Sequence, residues 1–219
     1  ISKMKFPPMY IEKRNEVKKT TEKLRSKFGV EGVALLAFSF ISASIFNIFI
    51  IWIPTFAQQT IHIGKTQSLT FVTIYSVCSI ISVFVTSYMV KKGLNVPAYI
   101  AFCCVMIAIA QINMLINTST ISITIVSLIV GFFAAGGIWQ LGVSLLLDFF
   151  PANKGKFTGL YSLSTSISLM ITPYLTGLIA ERSIKAVFAY NMVLGILGAI
   201  LLILVSYRYK KVLKPRRLK

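Results

Sequence analysis

Trp139 and Gln140 stand side by side in the apolar run GFFAAGGIWQLG, residues 131–142, and Asn47 and Trp52 stand five apart in another. Tyr161 and Thr165 lie one helical turn apart in a third run, which also carries Ser162, Ser164, Ser166, Ser168 and Thr172. Indoles, amides, a phenol and hydroxyls can stack on a solute and exchange hydrogen bonds with it, but they are poor acids and bases near neutral pH. The groups better suited to covalent chemistry lie elsewhere: Glu31 and Asp148 fall at the ends of apolar runs, and His62 and Glu181 between them. Cys78, Cys103 and Cys104 lie inside apolar runs, and an adjacent pair has no metal-ligand spacing, so we read them as small packing residues. The pattern points to reversible binding without covalent chemistry, so we expect no enzyme, no metal and no cofactor.

The runs that carry these residues set the architecture. The chain is 56% hydrophobic and only 13% charged, against about a quarter charged in a soluble domain. No Asp, Glu, Lys or Arg occurs between Glu31 and Lys65, from Thr66 to Val90, from Gly93 to Leu147, from Phe157 to Ala180 or from Ala186 to Tyr207. A helix needs about 20 apolar residues to cross a hydrocarbon core of ~30 Å, and the longest of these runs holds two such lengths around the polar break INTSTIS. We therefore expect an all-α integral membrane protein with six spans, at about 33–57, 68–90, 96–116, 121–147, 157–180 and 186–207. The runs are continuous rather than alternating segments of about ten residues, which excludes a barrel.

A net charge of +17 would suggest nucleic acid for a soluble chain. Here the basic residues flank spans, and the bilayer is the expected partner. Twenty Lys and Arg fall on the side of the two termini, and only Lys65, Arg182 and Lys185 on the other. The positive-inside rule then places both termini in the cytoplasm of a cell (plasma or inner) membrane. The organisation is a basic cytoplasmic linker over 1–29, a six-helix bundle over 30–207 and a basic tail over 208–219. Val17, Thr21, Leu24 and Phe28 recur at helical spacing among the linker's cations, a pattern suited to a helix lying on an anionic leaflet.

One stretch is nearly said twice. FVTIYSVCSIISVFVTSY, residues 71–88, returns 86 residues later as FTGLYSLSTSISLMITPY, residues 157–174, with Phe71, Tyr75, Ser76, Ile81, Ser82, Thr86 and Tyr88 matched by identical residues. The two stretches are the second and fifth spans and run in opposite directions across the bilayer. That is the arrangement of two inverted three-helix repeats, an architecture of secondary transporters.

The loops carry a resemblance. DFFPANKGKFTG, residues 148–159, resembles the cytoplasmic loop between spans ten and eleven of the major facilitator superfamily. SYMVKKGLNVP, residues 87–97, resembles its loop between spans eight and nine, keeping Lys91 and Gly93 while Val90 and Leu94 depart from the pattern. The resemblance implies the C-terminal six-helix half of a transporter, whose partner is the missing N-terminal half. It also implies a small-molecule solute moved by alternating access, as a symporter or antiporter. Asp148, Lys154, Lys156, Gly93 and Gly159 are then gating and loop residues, and Asp148 paired with Lys154 or Lys156 suits a weak, reversible gate. Pro54 and Pro173 are candidate hinges, because each removes a backbone donor within a span. Asn47, Trp52, Trp139, Gln140, Tyr161 and Thr165 are the candidate solute contacts. Gln111 and Asn113 are expected to bond helix to helix instead. The alternative is a scaffold or sensor bundle that moves nothing.

Overall fold

The computed structural model describes residues 30–150 and 153–212, with side chains described as far as residue 207. The basic linker 1–29, with Val17, Thr21, Leu24 and Phe28, lies outside the described residues, as do Pro151 and the end of the tail. Six helices have the length and apolarity to cross a bilayer: α1 Val30–Ile61, α2 Lys65–Lys91, α3 Val96–Ile116, α4 Thr120–Phe149, α5 Lys154–Arg182 and α6 Ile184–Val212. No strand occurs among the described residues.

Local chemistry sets several helix ends. His62 closes α1 with a φ of 53°, and Gly93 follows α2 with a φ of 89°, a left-handed conformation in which glycine is least strained. Pro97 stands in the first turn of α3, where a missing N–H costs nothing. The Ser119 hydroxyl accepts the backbone N–H of Ser122 at 3.2 Å and so caps α4, while the Ser122 hydroxyl donates to Asn113 Oδ1 at 2.9 Å. Asn113 thus joins α3 to the start of α4, a helix-to-helix bond.

Pro54 and Pro173 are both contained within unbroken helices. α4 is interrupted differently, by a π-helical stretch over Gly131–Trp139 between two α-helical segments.

The packing follows the exchange of two three-helix units, α1–α3 and α4–α6. α1 packs on α5 and, in the equivalent contact, α4 packs on α2; α1 packs on α6 as α4 packs on α3; and α3 packs extensively on α6. The first two seams are parallel. Ser164 and Ser168 of α5 reach Leu36 and Phe40 of α1 in the same order, and Ser79 and Ser82 of α2 reach Gly131 and Phe132 of α4. The fold is an all-α bundle of two inverted three-helix repeats.

The apolar core lies where these seams meet. Phe38, Ile45, Phe49, Phe56, Ile100, Ile107, Val130, Leu145 and Phe188 are all buried in it. α2 and α5 are the least covered helices; Phe84 and Tyr88 on α2, and Met170 and Tyr174 on α5, are largely exposed.

Candidate functional site

Close approach of α4 and α5 is set by small residues. A Cβ on Gly142 would collide with the Tyr161 hydroxyl and stand 3.3 Å from the Phe38 ring, so glycine there lets the phenol hydroxyl approach the α4 backbone. Beside it opens a cleft of about 370 Å³ lined by Trp139, Gln140 and Val143 of α4 and by Tyr161, Ser162, Thr165 and Ser166 of α5. The π-helical stretch ends on Trp139, and α-helix resumes at Gln140. The indole and the amide are therefore presented at the junction of two windings.

The lining is uncharged and only partly self-satisfied. Tyr161 and Thr165 are buried, and neither hydroxyl has a hydrogen-bond partner of good geometry. The Tyr161 hydroxyl lies beside Ser42, whose own proton goes to the Ser39 carbonyl at 3.0 Å. Gln140 is exposed on the cleft side of the chain. Idle hydroxyls in an apolar surround are costly unless something else bonds them. The lining thus offers stacking surface and hydrogen-bonding groups without a fixed charge.

The other candidates are not part of the cleft's lining. Phe46 of α1 packs its ring 5.6 Å from that of Trp139 and 5.9 Å from that of Tyr75. Asn47 follows it in sequence with its amide oxygen buried and unpartnered. Trp52 is engaged elsewhere: its indole N–H donates to Thr176 Oγ1 at 2.9 Å, across the α1–α5 seam. Gly93 lies at the turn after α2, where Lys92 Nζ stands 4.6 Å above the Tyr88 ring. Lys154, Lys156 and Gly159 are exposed at the start of α5, and Asp148 is half-buried near the end of α4.

A sequence profile of the Major Facilitator Superfamily matches residues 34–219, nearly the whole of the described bundle. The chain belongs to the major facilitator superfamily. Among relatives of this major facilitator chain, the inner membrane transport protein YdiN of Escherichia coli (strain K12) is 26% identical over 212 residues, covering 96% of this chain and 50% of the relative. The inner membrane transport protein YdiM of the same organism is 25% identical over 215 residues, 98% of this chain and 53% of the relative. The uncharacterized MFS-type transporter YfkL of Bacillus subtilis (strain 168) is 26% identical over 217 residues, 96% of this chain and 54% of the relative. The chain spans about half the length of the curated relatives it matches. Membership in this family makes it a multi-pass membrane protein of a transporter class rather than an enzyme.

Within this major facilitator chain, sequence reasoning overlooked a ladder of hydroxyls on one face of α5. Ser164 donates to the Leu36 carbonyl at 2.9 Å and Ser168 to the Phe40 carbonyl at 2.8 Å. Ser44 Oγ lies 2.7 Å from Ser168 Oγ and 2.9 Å from Thr172 Oγ1, and Thr176 meets Trp52. The signal was available as hydroxyls at every fourth residue from 164 to 176. Ser162 and Thr165 line the cleft, whereas Ser168 belongs to the ladder.

Proposed function

We propose that this chain is the C-terminal half of a secondary active transporter that moves a small, neutral, polar or amphipathic organic solute by alternating access. Solute is held in the cleft between α4 and α5, by Trp139, Gln140, Tyr161 and Thr165, with Asn47 approaching from α1. The observation that carries the reading is the cleft itself. Its lining is uncharged and aromatic, and two of its hydroxyls are buried without good partners. A second six-helix half covers the exposed faces of α2 and α5 and completes the path. Both termini, the turn at 91–93 and the start of α5 at 154–159 face the cytoplasm, in keeping with the basic residues gathered there. Asp148, Lys154 and Lys156 act as a gate at that side, and Pro54 and Pro173 as flexible points.

The test uses the full-length protein in proteoliposomes and a panel of radiolabelled neutral polyols, sugars and amphipathic aromatic compounds. A substrate found in this way is carried at least tenfold more slowly by Gln140→Ala and by Tyr161→Phe, with the protein still assembled. Unchanged flux in both variants removes the cleft from the pathway. Altered assembly with unchanged flux favours the scaffold reading.

A further inference from the structure

Two amide side chains outside the cleft are buried completely. Gln111 of α3 and Asn191 of α6 are each 0% exposed, and neither the oxygen nor the nitrogen of either amide has a hydrogen-bond partner in place. Neither residue lines the cleft or joins the hydroxyl ladder. Both belong to helices of one extensive seam, α3 with α6.

Glycine contacts fix the register of that seam. A Cβ on Gly195 would stand 3.6 Å from Ala108 Cβ and 3.5 Å from the Cys104 carbonyl oxygen, and one on Gly198 would stand 3.4 Å from Cys104 Sγ. Moving towards the end of α6 therefore moves towards the start of α3, so the two helices are antiparallel. One turn from Gly195 towards the start of α6 is Asn191. One turn from Ala108 towards the end of α3 is Gln111. Residues three or four apart share a helix face, so both amides occupy the same level of the same seam. Above and below them stand Ile107 and Met114 on α3, and Val187 and Leu194 on α6, all buried and apolar.

We infer that Gln111 and Asn191 form an interhelical amide clasp, bonded directly after a small side-chain rotation or through one shared water. Each amide offers an N–H and a carbonyl oxygen to the other, so a pair satisfies what neither satisfies alone. The side chains that flank them on α3 and α6 are apolar, and an unpaired buried amide is costly. The clasp pins α3 to α6 one turn beyond the Ala108–Gly195 contact, and neither residue lines the solute cleft. It is independent of the transport reading: it concerns the stability of a seam and stands whatever the cleft binds.

The experiment is a double-mutant cycle on the full-length protein in detergent, with Gln111→Leu, Asn191→Leu and the double variant. Each single change strands one amide in apolar surroundings and lowers Tm by about 2–4 °C. The double change removes both amides together and recovers at least half of the summed loss, since replacing both partners of a buried pair by apolar groups is nearly neutral. Additive losses overturn the clasp. A second measurement covers the case in which a leucine variant fails to fold. With Cys78, Cys103 and Cys104 replaced by Ala, a Gln111→Cys/Asn191→Cys protein is treated with a short bifunctional thiol reagent. A cross-linked 111–191 peptide pair is expected, and its absence from folded protein overturns the proposed apposition. Side-chain amide protons that show a water cross-peak identify the bridged form of the clasp, and their absence in a folded, coupled pair identifies the direct form.

Discussion

Ser168 and Ser82, 86 residues apart, do the same thing in the two halves of the chain. The Ser168 hydroxyl donates to the Phe40 carbonyl of α1, and the Ser82 hydroxyl donates to the Phe132 carbonyl of α4. In each case the middle helix of one repeat bonds the backbone of the first helix of the other. The repeated sequence is therefore a repeated seam. Thr86 and Thr172, an identical pair in the echo, are likewise both buried.

Removing either hydroxyl weakens its seam. Ser168→Ala loses contacts to Phe40 and Ser44, and is expected to destabilise the protein by about 1–2 kcal/mol. Ser76→Ala is the control, because that exposed hydroxyl bonds only the Val72 carbonyl of its own helix, at 2.8 Å. Thermal unfolding of the full-length protein in detergent distinguishes the two; equal effects dismiss the seam as a source of stability.

Gly136 is the counterpart contact on α4. Its backbone lies so close to α2 that a Cβ would collide with Ser82, with the Ser82 carbonyl oxygen 2.7 Å away. Gly136→Ala should therefore cost about 1–3 kcal/mol through overpacking. Gly177→Ala, where a Cβ meets nothing within 4 Å, should be neutral or slightly stabilising in its helix. Expression level and Tm, compared side by side, report the difference.

Gly93 makes a different demand. A Cβ there has room, with nothing within 4 Å, but the residue sits at a φ of 89°. Gly93→Ala is expected to cost about 1–2 kcal/mol in backbone strain alone, and Gly93→Asn less than Gly93→Ala. Identical Tm values for the two variants contradict a conformational origin.

Trp52 and Gln140 should separate in their effects. Trp52→Phe removes the indole donor to Thr176 and should lower Tm by a few degrees. Gln140→Ala alters an exposed side chain and should leave stability within about 0.5 kcal/mol of the parent, while flux falls. A fall in Tm for Gln140→Ala comparable to that of Trp52→Phe assigns the amide to packing.

If the second half belongs to the same polypeptide, the intact native protein from its own membranes has a mass near twice the 24.3 kDa of this chain. A mass near 24.3 kDa replaces it with a partner chain.

The fold was legible because lipid leaves few choices. Charge-free runs of spanning length must be helices, and α1 extends beyond the expected span 33–57 because polar residues such as those at 58–60 keep helical geometry. Trp139, Gln140, Tyr161 and Thr165 were legible for the same reason: polar and aromatic groups are scarce inside spans, and these four line one cleft. Trp52 was harder to place, since an indole near a span end suits an interfacial anchor, a solute contact or a bond to a neighbour. Only the parallel course of α1 and α5 reveals Thr176 as its partner. The π-helical stretch left no period to read in GFFAAGGIW, where nearly every residue is apolar or small. Asn191, a lone amide in an apolar run, draws its meaning from the helix it faces.

The α1–α5 ladder has a consequence for how the chain is made. Leu36, Phe40, Ser44 and Trp52 leave the ribosome first, yet their partners follow 124 to 128 residues later. At synthesis rates of about 5–20 residues per second, that delay is roughly 6–26 s. For that interval the first helix waits in the bilayer with its hydroxyl and indole partners still unmade. Insertion of the fifth helix closes the α1–α5 seam, and the seams of α6 with α1 and α3 close only with the helix after it.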